Sequence, residues 1–345
     1  MRYIEAVRAQ GKNLRSSRAA VADQLKGLDL APWRGRRLGL VGMGASANAI
    51  RAALGSYWAA GLPATAWLGS ELGYAGAAGN FDAVIAVSQS GKSAEIVAAL
   101  NGPVSGYPKL VVTDGPDAPA ARLADATVGL ALLEDSNVRT IGYTGTLQAL
   151  FLLAGALAGP GQGPDQGSAA DWDWLADEVD RQLPAAERLA ADLLGTLRDV
   201  RSFDVVGAGA QAGTAAQGAL LLREVAKRPA SHYETYQYLH GPIEAAGPGL
   251  GLLLIGGVRE ARLAASLAGT GATILLITAL DDAALTAAGL TGLTGLTVFR
   301  VPDGDDAALA MLGILPLQTI SGALADAAGL PDGEFRFHQD DTKVD

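Results

Sequence analysis

The feature that most constrains this chain is an internal repeat of one strand–turn–helix pattern. The segment LGLVGMGASANAIRAAL at 38–54 reappears as FDVVGAGAQAGTAAQGALLL at 203–222. Gly42 and Gly44 of the first copy correspond to Gly207 and Gly209 of the second. Because self-similarity of this kind is the signature of a duplicated structural unit, most of the chain is predicted to be two copies of one design.

The repeat continues through the apolar runs that follow each glycine turn. Short apolar runs separated by helical segments predict parallel sheets built from βαβ units. We therefore predict two tandem flavodoxin-like domains, each a three-layer α/β/α sandwich with a parallel sheet. The runs lie at 82–88, 109–114 and 127–133 in the first copy and at 252–257, 274–278 and 297–302 in the second, each set ending in an apolar helix, at 142–158 and 307–325.

Composition shifts along the chain suggest where these domains begin and end. The segment 159–174 is rich in Gly, Pro and polar residues, which is typical of a linker. The last residues, from Pro331, are polar and without periodicity, as expected of an extended tail. The predicted segments are an N-terminal helix (1–30), a first domain (31–160), a linker and helix (161–195), a second domain (196–330) and a C-terminal tail (331–345).

Composition and charge exclude several classes of protein. The 345 residues include no Cys and carry a net charge of −10. Without Cys there are no disulfides, thiolate nucleophiles or Cys-based metal sites, and three His residues make an all-His centre improbable. A nucleic-acid binder needs a basic face, which the acidic balance disfavours. The start has no signal-peptide core, and no apolar run of about 18 residues lacks polar breaks, so we expect a cytoplasmic chain without a membrane span.

The first glycine turn, at 42–47, reads GMGASA between a buried strand and a helix. Glycines let the backbone approach an anion, and the N–H groups at the helix start can bind it. A dinucleotide site is one interpretation, and it requires an acidic residue that ends the second strand. The candidate, Glu71, comes late and follows a Gly-Ser pair. A tight turn without any ligand is the other alternative.

The second turn, SQSGKS at 88–93, also lies between an apolar strand and a helix. Three hydroxyls, an amide and exposed backbone N–H groups can surround a phosphate, and the helix dipole favours the bound anion. Lys92 adds a positive charge, unless it simply faces solvent. The alternative is that the serines only cap the helix. One cap needs a single Ser, however, so the cluster favours phosphate binding.

The third segment, 220–245, combines Glu224 near the end of a predicted helix with His240 in a Leu-His-Gly-Pro sequence, and the stretch between them is expected to be irregular. A carboxylate and an imidazole are the usual groups for proton transfer. Two structural alternatives remain open. Glu224 could pair with a neighbouring cation such as Arg223 or Arg228, and His240 could be a loop histidine bonded to backbone.

Taken together, the duplication, the SQSGKS turn and the Arg-Glu-Val…Leu-His-Gly-Pro segment resemble the tandem sugar isomerase (SIS) domain family. The resemblance covers roughly residues 35–345. Within the family, the chain most resembles the isomerase half of glucosamine-6-phosphate synthase, the glucosamine-6-phosphate deaminases and the fructosamine-phosphate deglycases. The glutaminase half of the synthase, with its N-terminal cysteine, is not expected here. Glutamine is therefore not implied as a nitrogen donor.

The resemblance implies a role for each matching residue. The positions that hold the sugar phosphate in the family correspond to Ser46, Ser88, Gln89, Ser90 and Ser93. The isomerising carboxylate corresponds to Glu224. The ring-opening histidine of the family, which reaches a neighbouring subunit's site, corresponds to His240. The tail lysine corresponds to Lys343. The chain departs from the family pattern at Ala45, where Thr is usual, at Leu221, where Lys is usual, and at 138–142, which lacks a lysine.

The implied activity is a phosphosugar isomerase or an amino-sugar-phosphate deaminase or deglycase. The shared step is aldose–ketose isomerisation through an enediol or enolamine, and it needs no metal or redox cofactor. A sugar phosphate or amino-sugar phosphate is the expected ligand and a homodimer the expected assembly, with no nucleic acid or membrane partner. The alternative is a non-catalytic regulatory protein that binds phosphosugars, and a dinucleotide oxidoreductase ranks third.

The two halves are expected to differ in function. Where the first half has Ser88-Gln89-Ser90-Gly91-Lys92, the second has Ile255-Gly256-Gly257-Val258-Arg259. The second half has therefore lost the hydroxyls that would coordinate a phosphate. We predict one site per chain, with phosphate bound by the first half and proton transfer performed by Glu224, His240 and Lys343.

Overall fold

The computed structural model describes residues 1–159 and 171–344. These residues form two compact units, each around one sheet. The first-sheet unit comprises Lys12–Asp135, Ile141–Ala176 and the chain from Phe335 onward. The second-sheet unit comprises Met1–Gly11, Ser136–Thr140 and Asp177–Glu334. The core of the predicted linker, at 160–170, lies outside the described residues.

Each unit contains a five-stranded sheet, and all of its strands are parallel, as predicted. The first sheet has the order β2-β1-β3-β4-β5 and the second the order β10-β9-β8-β6-β7. In both, the chain passes from the first strand to an edge strand, β2 or β7, and then crosses to the other side of the first strand, which creates a switch point between β1 and β3 and between β6 and β8. The strands are β1 (Leu38–Gly42), β2 (Ala64–Leu68), β3 (Ala83–Val87), β4 (Lys109–Thr113), β5 (Ala126–Gly129), β6 (Ser202–Gly207), β7 (Ala230–Glu234), β8 (Leu250–Ile255), β9 (Thr273–Thr278) and β10 (Leu296–Arg300).

Helices flank both sheets, and three short 3₁₀ turns cover Gly69–Gly73, Ala77–Asn80 and Pro242–Ala245. The predicted N-terminal helix is divided in two at Ala9. The helices are α1 (Tyr3–Arg8), α2 (Gln10–Gly27), α3 (Gly44–Ala59), α4 (Ala94–Asn101), α5 (Pro119–Arg122), α6 (Ile141–Ala158), α7 (Trp172–Leu197), α8 (Ala210–Glu224), α9 (Thr235–Tyr238), α10 (Val258–Leu267), α11 (Asp282–Ala287) and α12 (Asp306–Ala327).

The central strands are buried along their whole length because helices cover both faces of a parallel sheet. β1, β3 and β4 contain only buried residues, as does β8 in the second sheet. Two strands were not predicted, β2 and β7, and each lies at the edge of its sheet. The segment around β7 was expected to be irregular. That expectation is wrong, because 230–234 pairs in register with β6.

Two helices, α6 and α12, are long and apolar enough to cross a membrane by length and composition alone. In the structure, 78% of the α6 window and 89% of the α12 window are buried inside protein. Core helices that pack on all sides have the same composition. These segments therefore give only weak support for a membrane span.

Candidate functional site

The two glycine-containing turns of the first-sheet unit lie at the carboxyl ends of β1 and β3, on either side of the switch point. Ligands of open parallel sheets bind at this position because the loops diverge there. Ser46 is half-buried in the first turn of α3, where its N–H donates to the carbonyl of Met43. The SQSGKS turn follows β3 and leads into α4.

Ser88 and Ser93, the first and last residues of the SQSGKS turn, approach one another closely. Ser88 is 2% exposed, and its Oγ lies 3.2 Å from the Oγ of Ser93. Gly91 makes this shape possible. Its φ of +65° suits glycine, and an added Cβ would lie 2.4 Å from the Cβ of Ala118.

Several N–H groups of this turn have no acceptor. Among the described residues, the backbone N–H groups of Gln89, Ser90 and Ser93 donate to no protein atom. The N–H of Lys92 donates to Ser90 Oγ at 3.3 Å. Unsatisfied N–H groups before a helix, together with paired hydroxyls, form a typical setting for an anion. The turn therefore has the chemistry that a phosphate requires.

Gln89 is held against the start of α6. A Cβ added to Gly142 would lie 2.7 Å from the carboxamide of Gln89, so a larger residue at 142 would force that side chain to move. The Gln89 carbonyl accepts from the N–H of Asp114 at 2.8 Å and from Thr113 Oγ1 at 3.1 Å. The backbone of the turn is thus anchored to the loop that follows β4.

The C-terminal tail pairs with this same turn. Ser93 and Lys343 form an isolated antiparallel bridge. The N–H of Ala94 donates to the carbonyl of Thr342 at 3.1 Å, and the N–H of Val344 donates to the carbonyl of Lys92 at 2.9 Å. The backbone of Lys343, the tail lysine to which the resemblance assigns a role, therefore lies directly beside the SQSGKS turn.

Glu224 is the last residue of α8, in the second-sheet unit. Burial raises the pKa of its carboxyl to about 7, and the positive charge of Lys227 opposes that rise. The nearby arginines are engaged elsewhere. Arg223 Nε donates to the carbonyl of Ala230, and Arg228 Nη2 donates to that of Arg198. Among the described residues Glu224 forms no ion pair with either arginine, and the cation that acts on it is Lys227.

Lys227 was not singled out by sequence reasoning. It has a φ of +53°, unusual for a residue with a side chain. Its Nζ lies 2.6 Å from the carbonyl oxygens of both Glu224 and Glu334. The ammonium group therefore ties the end of α8 to the segment from which the tail departs.

His240 lies in the loop between α9 and the 3₁₀ turn at Pro242–Ala245, and it is exposed. Its N–H donates to the carbonyl of Gln237 at 3.1 Å. Gly241 follows with a φ of +141°, a conformation that essentially only glycine adopts. The Gly-Pro pair thus fixes the direction of the chain after His240 and leaves the imidazole at the surface of its unit.

The equivalent turn of the second sheet contains its own carboxylate. Glu260 is 4% exposed, and its Oε2 accepts from the N–H of Gly257 at 2.9 Å. Its Oε1 accepts from Thr235 Oγ1 at 2.6 Å. A side-chain carboxylate therefore lies at the start of α10, where the first sheet presents free N–H groups. The sequence signal that could have revealed Glu260 is its position three residues after the N-cap glycine.

Glu71, the acidic residue that a dinucleotide site would use, has a local role. Its Oε2 accepts from the N–H of Leu68 at 2.7 Å, which caps the 3₁₀ turn after β2. That bond occupies one carboxylate oxygen in the protein's own backbone. The observed geometry therefore gives the dinucleotide interpretation no support.

Comparison with known proteins agrees with this fold. The glutamine–fructose-6-phosphate aminotransferase (isomerizing) of Methanothermobacter thermautotrophicus is 26% identical over 288 residues, covering 79% of this chain and 45% of that protein. The C-terminal domain of the Francisella tularensis glucosamine-fructose-6-phosphate aminotransferase superposes with a TM-score of 0.77 at 17% identity, covering 96% of this chain and 97% of that one. The glucosamine-6-phosphate deaminase of Thermotoga maritima gives a TM-score of 0.77 at 18% identity and 99% coverage of both chains. No family model matches the chain.

The two parallel sheets and their flanking helices define an α/β fold of the sugar isomerase (SIS) type. The chain's homologues are glutamine–fructose-6-phosphate aminotransferases, and its structural neighbours are phosphosugar isomerases and a glucosamine-6-phosphate deaminase, so the predicted resemblance is confirmed. The chain spans less than half the length of the curated relatives it matches, 45% in the case above.

Proposed function

We propose that this chain is an enzyme that moves a carbonyl between C1 and C2 of a phosphorylated sugar or amino sugar. A role of this general kind is supported by the relatives, and the reaction itself is our proposal. The observation that carries it is the SQSGKS turn, with Ser88 and Ser93 paired and three N–H groups free of acceptors. This turn would hold the phosphate through Ser46, Ser88, Gln89, Ser90 and Ser93.

Glu224 is proposed as the base. Moving the carbonyl requires a group that takes a proton from one carbon and returns it to its neighbour through an enediol or enolamine. A carboxyl with a pKa of about 7 can both accept and release a proton near neutral pH. The phosphate, distant from the reacting carbons, would supply binding energy and orientation.

His240 and Lys343 are proposed to assist. Opening the sugar ring moves a proton between the anomeric hydroxyl and the ring oxygen, which an imidazole can do. The exposed position of His240 is compatible with action in a neighbouring subunit of a homodimer. Lys343, whose backbone pairs with the SQSGKS turn, would stabilise the developing oxyanion or form a Schiff base.

The products distinguish the possible activities. The chain would be incubated without added cofactor with a panel of sugar phosphates and amino-sugar phosphates, and both ammonia and ketose would be measured. Ammonia identifies a deaminase, release of another amine a deglycase, and ketose alone an isomerase. If every substrate binds and none is converted, the chain is instead a phosphosugar-binding regulator. The Ser88→Ala and Ser90→Ala double variant should mainly raise KM.

We propose a cytoplasmic homodimer whose ligand is a sugar phosphate, with no nucleic-acid or membrane partner. Sedimentation of the purified chain tests the assembly. A monomer that retains full activity at micromolar concentration would contradict the homodimer.

A further inference from the structure

A buried hydrogen bond joins α9, the helix that precedes His240, to the first turn of α10. Thr235, the first residue of α9, is fully buried, and its Oγ1 donates to Glu260 Oε1 at 2.6 Å. Glu260 is also buried, and its Oε2 accepts from the N–H of Gly257 at 2.9 Å. Each oxygen of this carboxylate therefore serves a different segment, one the start of α9 and the other the turn after β8.

The turn after β8 leaves room for this carboxylate. A Cβ added to Gly256 would lie 2.3 Å from Glu260 Oε2, so a larger residue at 256 would push the carboxylate out of its position. A second contact joins the same two helices at the surface, where the guanidinium carbon of Arg259 lies 5.9 Å from the ring centre of Tyr236. The first two residues of α9, Thr235 and Tyr236, are thus both attached to α10.

The bond from Thr235 to Glu260 restrains α9 in a way that its apolar packing does not. Tyr238, at the other end of α9, is fully buried, and its ring centre lies 5.4 Å from that of Tyr233. Apolar packing holds a helix against a core but is largely non-directional. A hydrogen bond requires a definite distance and angle. The bond to Glu260 therefore restricts how α9 can rotate about its own axis.

His240 is connected to α9 by consecutive backbone hydrogen bonds. The N–H of Leu239 donates to the carbonyl of Tyr236, and the N–H of His240 donates to the carbonyl of Gln237, both at 3.1 Å. These bonds continue the turn of α9 as far as His240. A rotation of α9 would therefore carry the imidazole with it.

We propose that Glu260 is a positioning residue for His240. Through Thr235 it sets the orientation of α9, and thereby the direction in which the imidazole is presented at the surface of the second-sheet unit. This proposal rests on the role in ring opening proposed above for His240. It assigns different uses to the turns after β3 and β8, since the first would bind a phosphate and the second would hold a helix.

A pair of variants at Thr235 tests the proposal in the full chain. Thr235→Val keeps the shape of the side chain but removes the hydroxyl, whereas Thr235→Ser keeps the hydroxyl. The chain has only three His residues, so the imidazole Cε1–H signals can be followed by NMR and that of His240 assigned with His240→Asn. We expect the His240 signal to shift or broaden in Thr235→Val and to stay at its wild-type position in Thr235→Ser, while the signal of His338 is unchanged in both.

Turnover should follow the position of the imidazole. In Thr235→Val, kcat should fall about tenfold or more, because a small displacement of a reacting group is costly. KM should stay within about twofold of the wild type, since the residues proposed to hold the phosphate are unchanged. In Thr235→Ser, both parameters should remain near the wild-type values.

Thr319→Val is the matched control for loss of a buried hydroxyl. Thr319 Oγ1 donates to the carbonyl of Ala186 at 3.0 Å, in the same unit but on α12. This variant should lower the thermal midpoint without moving the His240 signal. If Thr235→Val does not fold, Thr235→Ala replaces it with the same expected result, because the smaller side chain leaves space in which water can donate to Glu260.

Three results would overturn the proposal. The His240 signal could be unchanged when the hydroxyl of Thr235 is removed, Thr235→Ser could displace it equally, or Thr319→Val could displace it as much. A different result separates this proposal from the reaction on which it rests. If the signal moves as expected but His240→Asn retains full activity, Glu260 still positions His240, and the ring-opening role of His240 is what fails.

Discussion

Ser93 and Lys343 lie opposite one another in an antiparallel bridge, although 250 residues separate them in the chain. Both hydrogen bonds of this bridge are made by the main chain, from Ala94 to Thr342 and from Val344 to Lys92. The tail therefore occupies one donor at the start of α4, while the N–H groups of Gln89, Ser90 and Ser93 have no acceptor within residues 1–159 and 171–344.

Replacing Lys343 by Met should therefore impair chemistry without releasing the tail. If the ammonium stabilises an oxyanion, kcat should fall about 100-fold with little change in KM. Amide exchange at Ala94 reports tail docking and should stay as slow as in the wild type. Lys92→Met is the matched control, since Lys92 is an exposed lysine of the SQSGKS turn with which the tail pairs. Equal losses in both variants would indicate a general effect of charge.

Gly91→Ala should be more damaging than Gly44→Ala. Both glycines have positive φ, +65° and +52°, so alanine at either position carries a conformational cost of about 1–2 kcal/mol. Only at Gly91 does the new Cβ meet another atom, Ala118 Cβ at 2.4 Å; at Gly44 nothing lies within 4 Å. Urea unfolding should show the larger loss for Gly91→Ala, together with loss of phosphosugar binding. Equal losses would contradict this explanation.

Glu224→Gln keeps the side-chain volume and removes the base. It should lower kcat roughly 100-fold or more while leaving phosphosugar binding nearly intact. In the wild type, kcat should rise as pH increases through about 7, because the carboxylate is the active form. Calorimetric binding measured beside a turnover assay separates the two effects. Unchanged kcat in the variant would remove Glu224 from the mechanism.

The same substitution should change how stability depends on pH. The folded-state pKa of Glu224, about 7, lies above its ordinary value of 4.5. Between these values the folded chain retains a proton that the unfolded chain has released, so stability falls as pH rises through this window. Glu224→Gln removes that loss, and its free energy of unfolding relative to wild type should be higher at pH 8 than at pH 4. Urea titrations at both pH values provide the measurement.

Mixed dimers test whether His240 acts in the neighbouring subunit. Glu224→Gln and His240→Asn chains should each be inactive alone. If His240 works across a dimer, a mixed dimer has one intact site, and random exchange of equal amounts restores about a quarter of wild-type activity. If activity does not recover although subunit exchange is verified, Glu224 and His240 of one chain act in the same site.

The central strands could be predicted because they are buried on both faces and read as continuous apolar runs, for example at β3 and β8. The edge strands β2 and β7 are mostly exposed or half-buried, so their sequences, ATAWL and ASHYE, lack that signal. Their pairing is decided by the neighbouring strand. This is why we expected 230–234 to be irregular, although it pairs fully with β6.

The candidate site was predictable where chemistry is local in sequence. The hydroxyl cluster at 88–93 and the Glu224 segment indicate their chemistry by residue type. Lys227 could not be found in this way, since its importance comes from a positive φ and from contacts with Glu224 and Glu334 that only the fold creates.

The way in which the tail is held also constrains how this protein can diverge. The pairing bonds run to the carbonyl of Thr342 and from the N–H of Val344, so a residue inserted or deleted between these two would break one bond or turn the side chain at 343 to the opposite side. Substitutions that keep the backbone donor at 344 leave the pairing in place. In this segment, we expect spacing to be inherited more strictly than residue identity, with position 343 as the exception.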